Sequence, residues 1–289
     1  MLELARHGER WDMGYGGDTL NTAIHLARAG NDVAYLTALG RDPLSRHLHD
    51  SWAAEGIDTS LICEHPTRQP GLYAIATDAN GERSFAYWRD SSAARELFTL
   101  ADAGLWRRAT DGVALFCFSL ISLAILPESG RRSLFMLANM VKDGGGKVAF
   151  DGNYRARLWE SADEARTWRD IAIGEADIGL PTLEDEIELG GRDSGPATAN
   201  EVAARWQALG CGEVVVKLGR DGVRLPDGTV QPPPALITPV DTSGAGDAFN
   251  AGYLAARLDG TSIAEAARAG QALAAWTIMR PGAIPPRDS

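Results

Sequence analysis

The sequence has few cysteines, fewer basic than acidic residues, and no long apolar run. Its three cysteines, Cys63, Cys117 and Cys211, are scattered and lack the C-x-x-C spacing of zinc sites, so we interpret them as buried thiols in a reducing compartment. Lys and Arg number 28 against 39 Asp and Glu, which gives a net charge of −11. This balance argues against nonspecific binding to nucleic acid or to an acidic membrane surface.

The sequence also shows no signal-peptide pattern and no apolar stretch long enough for a membrane-spanning helix. The first residues, MLELARHGERWDMG, are polar and contain no apolar segment of the secretory type. The longest apolar stretch, 113–127, is shorter than the roughly 20 residues that a membrane helix needs and contains Ser119 and Ser122. We interpret it as a buried strand that runs into a loop, and we expect a soluble, cytoplasmic protein that contacts neither membrane nor nucleic acid.

Strand and helix patterns alternate along most of the chain. At 289 residues and 45% hydrophobic content, the chain is long enough for one α/β unit that carries an insertion. A helix is predicted after Asp18, ending at Gly30, because glycine commonly follows the last helical turn. The remaining predictions are strands at 31–40, 113–118, 147–151, 176–180 and 213–217, and helices near 42–56, 129–142, 161–174, 197–209, 246–258 and 262–279. Such alternation with short loops predicts a parallel sheet covered by helices.

Residues 70–90, PGLYAIATDANGERSFAYWRD, interrupt this alternation. Two aromatic-rich segments with alternating apolar and polar residues flank Asn80-Gly81, which is a strong signal for a β-hairpin. Because alternation leaves one face polar, we expect this hairpin to stand away from the main body and to cover part of it.

Residues 241–250, DTSGAGDAFN, place two glycines and a carboxylate in front of an apolar helix. Gly244 and Gly246 allow the backbone to turn tightly and to approach a ligand. The free N–H groups at the start of the following helix would face that turn, and such a site binds anions, phosphate above all. Asp247 is then either a carboxylate that complements the helix dipole or a functional group beside the anion.

A phosphoryl transfer explains the second alternative. A hydroxyl that attacks a phosphoryl group needs a base for its proton and donors for the charge that develops on the phosphoryl oxygens. Asp247 would be the base, and the amides of Gly244, Ala245 and Gly246 would hold the charge.

The chain resembles the ribokinase-like (PfkB) carbohydrate kinases, and within them the 2-keto-3-deoxygluconate kinases most closely. The resemblance covers nearly the whole length and is carried by GGDTLNTAIHLARAG at 16–30, PGLYAIATDANGERSFAYWRD at 70–90, ISLAIL at 121–126, FDGNYRARLW at 150–159, EVVVKLGRDGV at 213–223 and DTSGAGDAFNAGYLAARL at 241–258. It implies a three-layer αβα sandwich with a mostly parallel sheet and a small β-sheet lid. The core would comprise 18–65 and 96–289, and the lid 1–17 and 66–95.

The resemblance also implies which residues bind the sugar. Gly16 and Gly17 would let it approach the backbone, and Asp18 and Asn21 would bind its hydroxyls. Asp18 also suits the N-cap position of the helix that follows it.

Tyr73, Tyr87 and Arg89 match lid residues that contact a sugar acid in the similar kinases. A guanidinium group on the lid is chemically sensible when the substrate carries a carboxylate. A half-exposed strand with aromatic packing remains the alternative for 87–89.

The nucleotide is expected at the carboxyl ends of the strands, where ligands bind in parallel sheets. The resemblance places Asn153 and Arg155 there, with Arg155 between the sugar and the phosphates. Arg157 is interpreted as a solvated charge.

Lys217, Gly219 and Gly222 would border ATP together with Gly244 and Gly246, although an ordinary reverse turn would give 218–222 the same local structure. Glu184 is the candidate near Mg²⁺. In many members of the superfamily an Asn precedes it by three residues, but here that residue is Pro181.

The expected activity is ATP-dependent phosphorylation of 2-keto-3-deoxygluconate at its 6-hydroxyl. A kinase for another sugar, such as fructose, and a sensor without turnover remain alternatives. We expect Asp241 to order its loop or the metal-bound waters, and a homodimer to form through the lid.

The family's first apolar strand would precede Met1. We therefore expect the central sheet to lack this strand and to expose apolar edge groups, with Glu3 near an acidic sugar contact.

Overall fold

The computed structural model describes residues 1–77, 83–191, 195–235 and 237–287. Its strands are β1 Leu2–His7, β2 Arg10–Tyr15, β3 Val33–Ala34, β4 Thr37–Leu39, β5 Ile57–Asp58, β6 Ile62–Glu64, β7 Leu72–Thr77, β8 Arg83–Trp88, β9 Leu115–Ser119, β10 Lys147–Asp151, β11 Ile178–Gly179, β12 Glu213–Val214, β13 Val216–Lys217, β14 Val223–Arg224 and β15 Val230–Gln231. Its helices are α1 Asp18–Arg28, α2 Pro43–Ala54, α3 Leu97–Leu100, α4 Ala103–Arg108, α5 Leu120–Ile125, α6 Glu128–Asp143, α7 Ala162–Glu175, α8 Leu183–Gly190, α9 Ala199–Ala208, α10 Ala245–Leu258 and α11 Ile263–Ile278.

A parallel sheet in the order β12-β11-β10-β9 forms the centre of the molecule. Its two faces are buried in different apolar clusters. Val148 and Phe150 of β10 pack in the cluster that contains Trp206 of α9, whereas Ala149, between them, packs in the cluster that contains Leu254 of α10. Side chains alternate between the faces of a strand, so helices cover both faces. The predicted three-layer αβα arrangement is confirmed.

A second sheet, in the order β2-β1-β7-β8, lies beside this core. Strand β1 runs antiparallel to β2 and parallel to β7, and β7 pairs antiparallel with β8 over Leu72–Thr77 and Arg83–Trp88. The predicted hairpin over 70–90 is therefore confirmed in its strands. Its predicted Asn80-Gly81 turn lies outside the described residues. We call this second sheet the lid sheet.

Some sequence predictions were wrong in detail. Residues 120–125, expected to be a loop, form helix α5. Ser119 caps this helix: its Oγ accepts from the Ser122 N–H, while the Ser122 hydroxyl accepts from the Ser119 N–H. This capping box overrides the apolar strand-like composition.

The predicted strand at 31–40 is divided into β3 and β4, because β3 pairs with β5 and β4 with β6. The predicted strand at 213–217 is likewise divided, since β12 pairs with β11 and β13 pairs with β14. Helix α8 was not predicted.

The expected loss of a strand before Met1 stays a prediction. In the part of the chain that the structure describes, β9 pairs with β10 only, and Leu2–His7 belongs to the lid sheet. Within the described ranges, no helix has the length and apolar character needed to cross a membrane.

Tight packing behind β11 generates a first prediction. A Cβ added to the buried Gly179 would lie 2.5 Å from Cε3 of Trp206 and 2.9 Å from Sγ of Cys211. Gly179→Ala should therefore reduce the free energy of unfolding by about 1–3 kcal/mol through overpacking, measured by urea denaturation. Gly212→Ala is the matched control, because its added Cβ would lie 4.0 Å from the Asp177 carbonyl oxygen, its nearest neighbour among the described residues. Equal stability of the two variants would contradict the packing argument.

Candidate active site

A cavity of about 790 Å³ lies between the lid sheet and the core. Four segments contribute its main polar lining. They are Glu3, Tyr73, Tyr87 and Arg89 on the lid sheet; Gly17, Asp18 and Asn21 at the start of α1; Asn153, Arg155 and Arg157 after β10; and Asp241, Ser243, Gly244 and Asp247 at the start of α10. The structure thus brings together residues that are far apart in the sequence.

Helix α10 begins directly at this cavity. Gly244 is its N-cap with φ +69°, a left-handed conformation that favours glycine. The first helical bond runs from the Ala248 N–H to the Gly244 carbonyl, so the amides before Ala248 have no acceptor within the helix. The Ala245 N–H bonds to the Thr242 carbonyl at 3.3 Å, which makes Ala245 a weaker candidate anion donor than expected. Gly246 lies in the first turn of α10, and its role as an anion donor stays a prediction.

Asp247 lies in the first turn of α10 and is 8% exposed. Its Oδ2 accepts a hydrogen bond of 2.7 Å from Nδ2 of Asn21, and its backbone carbonyl accepts from the Thr22 hydroxyl at 3.3 Å. Burial, followed by the nearby carboxylate of Asp18, raises the pKa of Asp247 to about 7. A carboxyl with this pKa can both accept and return a proton near neutral pH.

Asp18 is the first residue of α1, and the N-cap is Gly17 with φ +144°. The N-cap interpretation of Asp18 was therefore wrong by one residue. Its side chain instead accepts a hydrogen bond from the Ser119 hydroxyl. Burial raises the pKa of Asp18, while the Ser119 hydrogen bond opposes that change. Ser119 was not predicted as a site residue.

Two buried amide oxygens in the cavity wall lack partners. Oδ1 of Asn21 and Oδ1 of Asn153 accept no hydrogen bond from the described residues. An unsatisfied buried acceptor is costly. A ligand that brings hydroxyl or N–H donors would relieve that cost.

The lid wall of the cavity is aromatic. The Tyr73 hydroxyl donates to Oε2 of Glu3, and the Tyr73 and Tyr87 rings stack with centroids 5.9 Å apart. A Cβ on Gly16 would overlap the Tyr73 hydroxyl, so glycine is required there for close approach. Arg89 lies over the Tyr87 ring, 4.6 Å from its centroid.

The interpretation of Arg157 as a solvated charge was incomplete. Arg157 is exposed, but it lines the cavity and lies 3.7 Å from the Tyr87 ring centroid. Arg155 also lines the cavity, and its Nη1 pairs with Oδ1 of Asp185 at 3.1 Å. The pattern FDGNYRARLW contains both arginines, but nothing in their spacing shows which one reaches the lid.

Lys217 lies behind the start of α10 and outside the cavity lining. Its buried Nζ donates to Oδ1 of Asp151 at 2.9 Å and to Oδ1 of Asn250 at 3.1 Å, and Nδ2 of Asn250 donates to Oδ2 of Asp151 at 2.9 Å. Nζ is 3.6 Å from the position a Cβ would take on Gly246. Asp151 and Asn250 were not predicted, although both belong to motifs that the sequence shows.

The remaining nucleotide candidates form a separate group. Gly219 (φ +56°) begins the 3₁₀ turn Gly219–Asp221, and Gly222 (φ +98°) follows it. The carboxylate of the exposed Glu184 has Oε1 3.6 Å from the position of a Cβ on Gly219. Among the described residues, no group of three or more His, Cys, Asp or Glu side chains could hold a metal ion.

The loop before α10 is ordered by Asp241, as expected. Its Oδ1 accepts from the Ser243 N–H at 2.9 Å, and its Oδ2 accepts from the Gly282 N–H at 2.7 Å. The loop is thereby fastened to the segment near the end of the chain that completes the cavity wall.

The burial of Asp247 generates a stability prediction. Its folded-state pKa of about 7 lies above the ordinary value of 3.8, so folding favours the protonated carboxyl group. The stability that this protonation contributes is lost as the pH rises from about 4 to about 7. At pH 8 the free energy of unfolding of Asp247→Asn should therefore exceed that of the wild type by up to about 4 kcal/mol, and its unfolding temperature should be higher. At pH 4 the two proteins should have nearly equal stability. Calorimetry across this pH range measures the difference. Asp32→Asn, at an exposed loop aspartate, is the control, and a pH-independent gain for Asp247→Asn would contradict the assignment.

Comparisons with known proteins identify the family. The model of the pfkB family carbohydrate kinases matches residues 2–289. The chain is 40% identical over 299 aligned residues to a 2-dehydro-3-deoxygluconokinase of Dickeya dadantii, covering 100% of this chain and 95% of the relative.

Solved structures agree with this assignment. The 2-dehydro-3-deoxygluconokinase of Thermotoga maritima has a TM-score of 0.84 at 24% identity, covering 98% of this chain and 91% of that one. The fructokinase of Vibrio cholerae in its fructose, ADP and calcium ion bound form has a TM-score of 0.82 at 25% identity, covering 98% and 91%. The chain belongs to the pfkB family of carbohydrate kinases.

Proposed function

We propose that the protein phosphorylates 2-keto-3-deoxygluconate at its 6-hydroxyl, forming 2-keto-3-deoxy-6-phosphogluconate. Membership in a carbohydrate kinase family implies ATP as the phosphoryl donor. The observation that carries the proposal is the buried Asp247 at the start of α10, in a cavity that also holds the guanidinium groups of Arg89 and Arg157. The full-length similarity to 2-dehydro-3-deoxygluconokinases supports the same substrate.

In the proposed reaction, Asp247 takes the proton of the attacking hydroxyl. Asn21 holds the carboxylate through Oδ2, which leaves Oδ1 available to the substrate. The amides of Gly244 and Gly246 and the helix dipole would stabilise the charge that develops on the transferred group. Lys217 lies near this turn, ion-paired with Asp151, and would border the phosphates.

The sugar would bind between the lid sheet and the core. Asp18, Asn21 and Asn153 would contact its hydroxyl groups, with Gly16 and Gly17 leaving room for the ring or chain. Tyr73 and Tyr87 would cover it, because residues 1–17 and 66–95 are proposed to act as a lid on the core formed by 18–65 and 96–289. Excluding water protects ATP from hydrolysis during the transfer.

The nucleotide would lie on the far side of Gly244, beside Gly219, Gly222 and Arg155. Mg²⁺ usually takes one or two protein carboxylates, several waters and the substrate phosphates, so a single exposed carboxylate suffices, and Glu184 beside Gly219 fits this requirement. When bound, the ion would neutralise charge on the transferring phosphates. Glu184 would hold it through water.

The substrate class is the next prediction. ADP release should be measured with 2-keto-3-deoxygluconate, its galactonate epimer, fructose, ribose and no sugar. We expect turnover with the keto-deoxy acids, and Asp247→Asn should lower it roughly 100- to 10,000-fold through loss of the base. In the wild type, kcat/KM should fall as pH drops below about 7, where Asp247 becomes protonated.

ADP release with the neutral sugars distinguishes the proposed sugar-acid kinase from a kinase for another sugar and from a sensor without turnover. Preference for fructose would replace the proposal with a fructokinase, as the likeness to the Vibrio cholerae enzyme allows. Ligand binding without ADP release in the folded wild type would indicate a sensor. Full activity of Asp247→Asn would contradict its role as base.

We further propose that two copies of the chain associate through the lid sheet. Side chains alternate between the faces of a sheet, so Trp11, Met13 and Trp88 lie on the face opposite Glu3 and Tyr73, and Met13 on the edge strand β2 also borders the cavity. These three apolar side chains are 49%, 47% and 61% exposed. Exposed apolar patches commonly mark interfaces, and a second copy would cover this one symmetrically.

Sedimentation of single variants tests this interface. Met13→Glu should weaken the dimer by roughly 100-fold in Kd, because it buries a charge at the contact. Met136→Glu is the control, at a methionine on α6 with 52% exposure. A monomeric wild type, or equal dissociation of both variants, would contradict the proposal.

A further inference from the structure

Four arginines line the cavity, namely Arg6, Arg89, Arg155 and Arg157, and their surroundings differ. Arg6 is exposed at the end of the lid sheet, and its Nε donates to the Gly8 carbonyl at 2.9 Å. Arg155 is paired with the carboxylate of Asp185 at 3.1 Å. Arg89 and Arg157 form no ion pair with a carboxylate among the described residues, and both guanidinium groups instead lie at the Tyr87 ring. Two guanidinium groups that a ligand can reach therefore meet at one ring, that of Tyr87.

The two guanidinium groups reach this ring from different parts of the molecule. Arg89 follows β8 and belongs to the lid side, whereas Arg157 lies in the 3₁₀ turn Ala156–Leu158 after the central strand β10. The Arg157 guanidinium is 3.7 Å from the ring centroid and that of Arg89 is 4.6 Å away, both within range of a cation–π interaction. Lid and core thus contribute one cation each to a common point.

Placing two positive charges at one ring costs energy. Arg89 is half-buried, and burial together with the charge of Arg157 lowers its pKa. An anion bound at both groups would remove this repulsion and gain two charge-assisted contacts. The planar guanidinium group is suited to a carboxylate, which it can bind through two parallel hydrogen bonds.

The cavity floor has the opposite character. The partly buried Asp18 and the buried Asp247 present carboxyl groups on α1 and α10, which suit the hydroxyl groups of a sugar and repel its carboxylate. Electrostatics therefore assigns one orientation to a sugar acid, with its hydroxyl groups at the floor and its carboxylate at the Tyr87 ring.

We propose that Arg157 binds the carboxylate of the sugar acid together with Arg89 and thereby determines the preference for an acid over a neutral sugar. This inference rests on the proposed function, of which it names the residue that selects the substrate. Arg157 differs from Arg155 in this respect, since Asp185 already neutralises Arg155.

A purely structural role of Arg157 makes a different prediction. If Arg157 only held Tyr87 in place, its replacement would impair acids and neutral sugars equally. A carboxylate contact affects the acid alone. The required pair of ligands is 2-keto-3-deoxygluconate and 3-deoxyfructose, which carries a hydroxymethyl group where the acid has its carboxylate.

The experiment compares Arg157→Gln, Arg157→Lys and the wild type in steady-state kinetics and in equilibrium binding of each sugar without nucleotide. Arg157→Gln should raise the KM and Kd of the acid about 10- to 100-fold, change kcat by less than about threefold, and leave both constants of 3-deoxyfructose unchanged. Arg157→Lys should restore part of the affinity through its charge. Arg132→Gln is the matched control, because Arg132 is another exposed arginine near an aromatic ring, 6.0 Å from the Trp168 centroid and outside the lining of this cavity.

Each result separates the two proposals. An unchanged acid affinity in Arg157→Gln, or an equal loss for both sugars, would overturn the role of Arg157 while leaving the proposed kinase intact. A wild type that binds the acid but does not phosphorylate it would overturn the proposed function, and the binding constants would still decide the role of Arg157. A wild type that does not bind the acid would overturn both.

Discussion

The hydrogen bond between Asn21 and Asp247 joins residues 226 positions apart, and the site depends on it. It fastens the start of α1 to the start of α10, so that the two carboxyl groups of the floor, Asp18 and Asp247, share one cavity. Burial raises both pKa values, and the nearby carboxylate of Asp18 raises the pKa of Asp247 further. The fold thus keeps a poorly solvated carboxyl group at a helix N-terminus, where the helix dipole and free amides tolerate negative charge.

Charge is distributed unevenly around the cavity, and this distribution directs a ligand. Asp18 and Asp247 lie on the core helices, Glu3 lies on the lid sheet where it accepts from Tyr73, and Arg89 and Arg157 lie at the Tyr87 ring. Lys217 is held behind the α10 turn by Asp151 and Asn250. The buried Lys217 is ion-paired with Asp151, and hydrogen bonds to Asp151 and Asn250 fix the position of its ammonium group. A mobile lysine would lose orientation entropy on binding an anion, whereas this one has already lost it.

Much of the fold could be predicted because its signals are local. Glycines mark the ends of α1 and α10, alternation marks the strands of the hairpin, and the Gly-Ala-Gly-Asp segment marks a helix start that faces the cavity. The prediction failed where a local signal was misjudged or ambiguous. The apolar stretch after Ser119 forms helix α5 because of a capping box, and Asp18 follows the N-cap because Gly17 occupies that position.

The site residues divide in the same way. Residue type and order indicated Asp247 and the glycines beside it, because their chemistry depends on backbone conformation and on charge within one segment. Arg89 was indicated by the resemblance to the lid residues of similar kinases. Which distant groups meet was decided by the tertiary structure: Ser119 binds Asp18, Asp185 neutralises Arg155, and Arg157 reaches Tyr87. These contacts follow from how strands and helices pack in three dimensions, and a hydrogen bond or ion pair between remote segments leaves no periodic signal in either one.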